Sequence, residues 1–260
     1  HSLNPLYAGQ AAVAYVNAMT RRPLLVYDKD WKLVCLLCTE EPSPANGRRR
    51  STRLADGSVG IAVTHTIHPK AAWGDGTPVT TRDVVFTWQA GRHKDAGAHN
   101  RAYFANVERI EIADDKTFTL HSRGIDFRQV FLLPAHLERD VFEADPRNYR
   151  TRTRTDRDAA NPGLYYGPYL IAEYRAGSEI VLVPNPHWFG ARPHFARIVV
   201  KVVATTAAIE SELVSGGIDY MAGEGGLAIE EAVQLEARHP GRFRFLYKPG
   251  LVYENLVVDL

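Results

Sequence analysis

An α/β fold is the class that three features of this sequence predict. Strand and helix signals alternate through the second half, from "YGPYLIAEYRAGSEIVLVPNP" to the C-terminus. A helix followed by a strand opens the chain in "QAAVAYVNAMTRRPLLVYD". Between them, "WGDGTPVTTRDVVFTW" (73–88) couples a glycine-punctuated turn to a capped helix. Such alternation predicts helices layered on a sheet with partly parallel pairing.

Each element has a local reason. Residues 1–9 hold an Asn-Pro turn, and Val13, Val16 and Asn17 then recur at helical spacing until Pro23 stops the helix. Residues 39–58 combine Pro, Gly, Asn and charge and read as a long exposed loop or hairpin. "VGIAVTHTIHP" alternates as a strand. In the stretch that follows, Gly74, Asp75 and Gly76 form a turn, because Gly accepts positive φ and Asp bonds its own backbone. Thr80 fits an N-cap, Asp83 closes a capping box three residues later, and Val79 with Val84 makes a hydrophobic staple. Val84, Val85 and Trp88 form the expected buried face. "VERIEIADDKTFTLHS" is a hairpin about an "ADDK" turn. "FRQVFLLPAHLERDVFEAD" reads as helical on both sides of Pro134, and "NYRTRTRTDRDAANPG" as irregular and basic. Tyr169–Tyr174 and Ile180–Val183 are strands about "RAGSE", and "RIVVKVV" suits a buried strand. "TAAIESELVSGGIDYMAG" is a helix ended at Gly216-Gly217 and followed by a strand. "AIEEAVQLEARHPG" is a further helix, and "FRFLYKPGLVYENLVVDL" supplies two last strands.

Composition narrows the function. The 260 residues are 45% apolar and 23% charged with a formal charge of +1, ordinary for a soluble globular protein. That balance gives no global field for nucleic acid or membrane. No apolar run approaches the ~20 residues of a membrane span. The chain opens at "HSLNPLYAG" without a start methionine or leader, as a mature piece of a longer product would.

Residue chemistry points away from catalysis. Cys35 and Cys38 lack the helix start that a thioredoxin-like pair needs, which leaves two small buried hydrophobes or a local disulfide. His65 and His68 lie three apart on a strand and point to opposite faces, so zinc is not expected. Asp114-Asp115, Glu40-Glu41 and Glu230-Glu231 are adjacent and do not face one another. No G-x-S-x-G, P-loop, Rossmann or H-E-x-x-H pattern occurs. "GRRRSTR" and "YRTRTRTDR" lack the interleaved aromatics that stack bases, so no nucleic-acid partner is expected. Tyrosines in or beside loops, with a flat apolar body and a polar tip, suit a wet ligand cleft or a core equally.

Several segments, in order, carry a resemblance: "SLNPLYA", "WGDGTPVTTRDVVFTW", "VERIEIADDKTFTLH", "LLPAHL", "NPGLYYGPYLIAEYRAGSEIVLVPNPHWFGARPHFARIVVKVV" and "ELVSGGID". Together they resemble the family-5 extracellular solute-binding proteins, the dipeptide, oligopeptide and nickel receptors of ABC importers. The resemblance implies a periplasmic-binding-protein type II-like (cluster C) fold, here the first lobe with an inserted small α+β subdomain and the second lobe missing. Residues 1–34 and 161–260 would form the lobe and 35–160 the insert. It implies a non-enzymatic receptor, without cofactor or metal, that captures a peptide or similar small solute by hinge closure. The receptor would then dock on an ABC permease, in the periplasm or outside the cell, with or without a lipid anchor. The uncovered apolar surface of a piece would favour self-association.

The same resemblance implies the ligand contacts. Tyr7, Ala8, Gly9, Gln10 and Ala11 form the loop that runs beside ligand, and Tyr103 matches a second lining segment. Tyr165 and Tyr166 stand where relatives carry a small Gly-Thr-Gly, and either narrow the pocket or pack elsewhere. Two other classes compete. One is a hydrolase with an acidic site built on His136 with Glu138, or on Asp219; the other is a pure protein-interaction module.

Overall fold

The computed structural model describes residues 2–124, 131–221 and 226–247. The chain divides into two compact units, 1–202 and 203–260.

The first unit begins with α1 (Ala11–Thr20), which buries Val13, Val16, Asn17 and Thr20, the stripe that the 3.6-residue spacing predicts. A short antiparallel hairpin follows, β1 (Leu25–Tyr27) with β2 (Leu33–Cys35). The next four strands, β3 (Arg49–Arg53), β4 (Val59–Thr66), β5 (Val107–Ile112) and β6 (Thr117–Ser122), form an antiparallel sheet in the order β3-β4-β6-β5. Within the 39–58 stretch, 39–48 is loop and turn and 49–58 supplies β3 and the turn of its hairpin with β4, while β5–β6 is the hairpin read from sequence. Asp114 closes the latter turn by accepting from the Lys116 and Thr117 backbone N–H groups at 2.7 and 2.8 Å.

Helix α2 (Thr81–Arg92) starts as its sequence predicts. Thr80 is the N-cap, and the capping box with Asp83 is complete. Val79 and Val84 are both buried in one apolar cluster with Trp73 and Phe118. The helix face differs from expectation. Asp83, Val84, Phe86, Thr87, Ala90 and Gly91 are buried, whereas Val85 and Trp88 are half-buried. The cause is tertiary: α3 (Arg101–Asn106) and α4 (Ala135–Ala144) both pack on α2. Gly91 is required there, because the Phe104 ring occupies the space a Cβ would fill.

Residues 131–134 are not helical; α4 starts after Pro134, which serves as its N-cap. Proline lacks the N–H that a preceding turn would need, so it opens this helix rather than interrupting one. The basic stretch is not irregular either: it forms two short helices, α5 (Tyr149–Arg152) and α6 (Arg154–Arg157). Strands β7 (Tyr169–Arg175), β8 (Glu179–Pro184) and β9 (Ile198–Lys201) complete the unit as an antiparallel sheet. β9 is a half-exposed edge rather than a buried strand, with Val199 37% exposed. Every strand pairing among the described residues is antiparallel, so the partly parallel pairing expected from alternation is absent from them.

The second unit contains α7 (Thr206–Ser215) and α8 (Ile229–Arg238). Gly216 ends α7 in the left-handed region at φ 78°, as the Gly-Gly signal predicts. Residues 218–221 are not a strand, and 243–247 carry no strand assignment; the remainder of the expected final strands lies outside the described residues.

Cys35 and Cys38 form a disulfide with Cα atoms 5.3 Å apart. Cys38 also bridges to Ile67, just past the end of β4, so the cross-link ties the β1–β2 hairpin to the four-stranded sheet. The two histidines of the sequence argument part company. His68 stacks on Phe189 at 4.3 Å, and His65 is buried against Phe118 at 5.5 Å.

His65 carries a pH prediction. Burial, with Arg48 adding to it, lowers its pKa from 6.5 to about 4. The imidazole is neutral when folded, so as pH falls below the unfolded value the unfolded chain takes up the proton first. Stability is lost between about pH 6.5 and about 4. At ~1.4 kcal/mol per pKa unit the loss approaches ~3 kcal/mol. Urea unfolding at pH 7 and pH 4 should show that His65→Leu removes about this much of the acid sensitivity; an unchanged slope would refute the assignment.

Candidate functional site

The N-terminal loop owes its shape to Asn4, which is fully buried. Its Oδ1 accepts from the Leu6 N–H at 3.0 Å, and its Nδ2 donates to Thr153 Oγ1 at 2.8 Å. The Asn4 carbonyl accepts from the Tyr7 and Ala8 N–H groups at 2.9 and 3.0 Å. Upstream, the Leu3 N–H donates to Asp156 Oδ1 at 2.6 Å. The Asn-Pro turn is thus bolted to α5 and α6, a role that composition of the basic stretch does not suggest.

Beneath the loop, Glu138 is buried and serves as an acceptor hub. It receives Thr153 Oγ1 at 2.6 Å, the Thr155 N–H and Oγ1 each at 3.0 Å, and the Arg154 N–H at 3.2 Å. His136 lies two positions away on α4 and turns elsewhere, to Asp75 Oδ2 at 3.0 Å. Asp219 is exposed within 203–260. The structure therefore does not join His136 to Glu138, and it commits Glu138 to holding backbone and threonine hydroxyls.

Tyr7 is buried. Its hydroxyl donates to the Ala96 carbonyl at 2.8 Å, and its ring packs 6.2 Å from Tyr149. Burial pushes its phenol above the ordinary range, opposed by Arg150, whose guanidinium lies 5.6 Å from the ring centre. Ala8 and Ala11 are half-buried; Gly9 and Gln10 are exposed. Tyr103, on α3, is half-buried and packs against the apolar cluster that contains Leu6 and Tyr7. The structure therefore brings Tyr7–Ala11 and Tyr103 into one neighbourhood, with Gly9 and Gln10 facing out.

His99 belongs to that neighbourhood and is not among the residues that sequence reading selects. Its N–H donates to the Leu6 carbonyl at 3.0 Å, and its ring lies 3.2 Å from where a Cβ on Gly9 would stand. Gly97, in the left-handed region at φ 65°, marks the bend that delivers it. That glycine in "DAGAHN" is the one local signal of the contact.

Tyr165 and Tyr166 pack elsewhere. Both are 0% exposed. The Tyr165 hydroxyl donates to the Ala159 carbonyl at 2.6 Å, and Arg21 lies 4.8 Å above its ring. The Tyr166 hydroxyl accepts the Leu132 N–H at 2.8 Å, and its ring meets Trp73 edge-on at 4.7 Å. Gly167 holds this arrangement by close approach: its N–H donates to the Thr20 carbonyl at 2.8 Å, and a Cβ would stand 2.5 Å from the Thr20 backbone. The bulk of the two tyrosines is absorbed in the core.

Among the described residues no group of three or more His, Cys, Asp or Glu side chains could hold a metal ion, and no helix is long and apolar enough to cross a membrane.

Comparison with known proteins follows the same lines. The model of the middle region of bacterial extracellular solute-binding proteins, family 5, matches residues 58–250. Oligopeptide-binding protein OppA of Mycobacterium tuberculosis (strain ATCC 25618 / H37Rv) is 32% identical over 155 residues, 56% of this chain and 25% of the relative. The probable D,D-dipeptide-binding periplasmic protein DdpA of Escherichia coli (strain K12) is 28% identical over 165 residues, 60% of this chain and 30% of the relative. The fold is that of the oligopeptide binding protein from Thermus thermophilus complexed with a pentapeptide. That structure has a TM-score of 0.76 at 23% identity, over 91% of this chain and 44% of the other. These alignments span between a quarter and a half of the length of the proteins they match.

Proposed function

This chain belongs to family 5 of the bacterial extracellular solute-binding proteins, and on that premise we propose that it captures a peptide, or a similar small solute, for an ABC importer. The observation that carries the reading is the family match together with the exposed Gly9-Gln10 segment, held by a loop whose Leu6 and Tyr7 side chains are buried. The Gln10 carbonyl accepts the Ala14 N–H at 3.0 Å, which leaves the Gly9 backbone to pair with an extended peptide as a sheet edge adds a strand. Tyr103 and Ala8 would supply apolar contact beside it.

Hinge closure is the proposed mechanism: ligand contacts from both sides of a cleft favour the closed form, which then docks on a membrane permease. The proposed division assigns 1–34 with 161–260 to the lobe and 35–160 to the insert. It is supported by the apolar cluster in which Leu3, Val13 and Val16 pack with Tyr169, Ile171 and Leu182. A periplasmic or extracellular location, with or without a lipid anchor, fits the Cys35–Cys38 disulfide, which persists in oxidising compartments. Self-association of the 260-residue chain is supported by the exposure of Tyr220, Ile229 and Leu246 at 81%, 72% and 76%. A non-enzymatic role accords with relatives named as binding proteins.

Mass spectrometry of the full-length protein, purified without denaturation, should find a peptide or other small solute retained. Titration with that solute should change tryptophan fluorescence and release no product. Steady conversion of the solute would return the hydrolase reading.

A further inference from the structure

We propose that the loop between β8 and β9 is a membrane-docking surface, which rests on anionic phospholipid with Phe195 at the acyl boundary and Arg192 and Arg197 on the headgroup phosphates. The inference goes beyond cargo capture and holds whatever the cargo is.

The loop holds an apolar ring outward. Phe195 is 59% exposed, although its backbone N–H donates to the Tyr169 hydroxyl at 3.2 Å. Upstream, the Trp188 side chain folds back on the loop. Its Nε1 donates to the Ala191 carbonyl at 3.0 Å, and a Cβ on Gly190 would stand 2.6 Å from the indole ring. An open cavity of about 400 Å³ is lined by Pro184, Arg192, Pro193, His194 and Ala196. Proline fixes its own φ, so two of these walls are stiff. The His194 ring meets Phe195 edge-on at 5.1 Å. One short surface thus presents an exposed ring, a hollow and cations.

Its charge has one sign. Residues 180–209 contain Arg192, Arg197 and Lys201 and no Asp or Glu. Lys201 stands opposite Glu179 in the β8–β9 register. Arg192 and Arg197 are exposed, and among the described residues neither forms an ion pair. The segments seen to touch the loop do not offset them. Arg22 lies 5.7 Å from the Trp188 ring, His68 stacks on Phe189, and Gly76 abuts His187. Asp75, beside Gly76, is engaged by His136 and by the Thr77 N–H. Glu173 and Glu179 pair with Arg175, and Glu179 is five residues from Pro184 along β8, about 17 Å away. Basic side chains around an exposed aromatic ring, without acids, suit a bilayer interface: anionic lipid attracts the cations and the ring enters the acyl boundary.

Co-sedimentation of the unlipidated full-length protein with vesicles tests the surface. Binding to phosphatidylcholine containing one-third phosphatidylglycerol should be about tenfold or more tighter than to phosphatidylcholine alone, and should weaken as salt rises. Arg192→Gln with Arg197→Gln should weaken it about 25-fold, about fivefold for each cation, and Phe195→Ser about tenfold with the salt dependence kept. The unfolding midpoint should not move, because all three side chains are exposed. Arg50→Gln with Arg53→Gln, an exposed pair on β3, should bind as the parent does. Equal binding to both vesicle types would overturn the proposal. So would an equal loss in the two arginine pairs, which would make the attraction a matter of net charge. Glycerol phosphate, followed by isothermal titration, separates lipid from free phosphate: its binding without vesicle binding would make the cavity a solute site and overturn docking. Binding only to vesicles that carry the reconstituted permease would assign the surface to a protein and overturn it equally. Each of these failures leaves peptide capture untouched.

Discussion

Asp83→Ala should cost about 4 kcal/mol of folding stability. The residue is a cap in sequence terms, but the folded chain asks more of it. Oδ2 accepts from the Thr80 N–H at 2.8 Å and from the Trp73 indole N–H at 3.3 Å, while Oδ1 accepts from the Ala135 N–H at 2.8 Å. One carboxylate therefore starts α2, orients the fully buried Trp73 and receives the first N–H of α4. Burial pushes its pKa up, and those donors pull it back. Alanine leaves three donors with no acceptor in a space water does not readily reach, at about 1–3 kcal/mol for each buried group. Thermal unfolding should show the midpoint falling by roughly 10 °C. Asp83→Asn keeps an acceptor oxygen and should lose about half as much. A drop of less than ~1 kcal/mol for alanine would mean that the donors find other partners and that the residue is an ordinary surface cap.

Glu138→Ala should be about as damaging, for a related reason and with a different reach. Its carboxylate gathers two threonine hydroxyls and two backbone N–H groups, and so holds α5 and α6 against α4. Asn4 is bonded in turn to Tyr149, in α5, and to Thr153, the residue between the two helices. The expected loss is about 3–5 kcal/mol, as for breaking a satisfied buried polar network. Hydrogen exchange should quicken first in residues 149–157, and affinity for the proposed peptide ligand should weaken with the loop that Glu138 helps to hold. Glu138→Gln, which keeps one acceptor oxygen, should recover part of both. Were Glu138 instead the acid of a hydrolase, Glu138→Gln would abolish turnover with stability intact, and that result would reverse its assignment as a positioning residue.

The two residues mark the boundary between local and distant information. Asp83 stands three positions after Thr80, and a capping box needs nothing beyond that spacing. Its bonds to Trp73 and Ala135 depend on chain that is ten and fifty-two residues away. Glu138 offers no local signal of its role, because its four donors lie fifteen to seventeen residues on, in a stretch whose composition reads as solvated loop. The aromatics divide in the same manner. Nothing local distinguishes Tyr103, which is half-buried beside the loop, from Tyr165 and Tyr166, which the core absorbs completely.

By itself the sequence determined the elements whose energetics close within a few residues. These are the cap of α2, the Asp114 turn between β5 and β6, the Gly216 stop of α7 and the apolar stripe of α1. Its ordered motifs also determined the family. Only the tertiary structure decided which strands pair, which face of α2 is buried, that Cys35 meets Cys38, and that His99 stands beside Gly9 and Arg150 over Tyr7. Hydrogen bonds within one turn are specified by spacing, whereas burial and charge environment are set by whichever distant segments pack there, and that choice belongs to the whole chain at once.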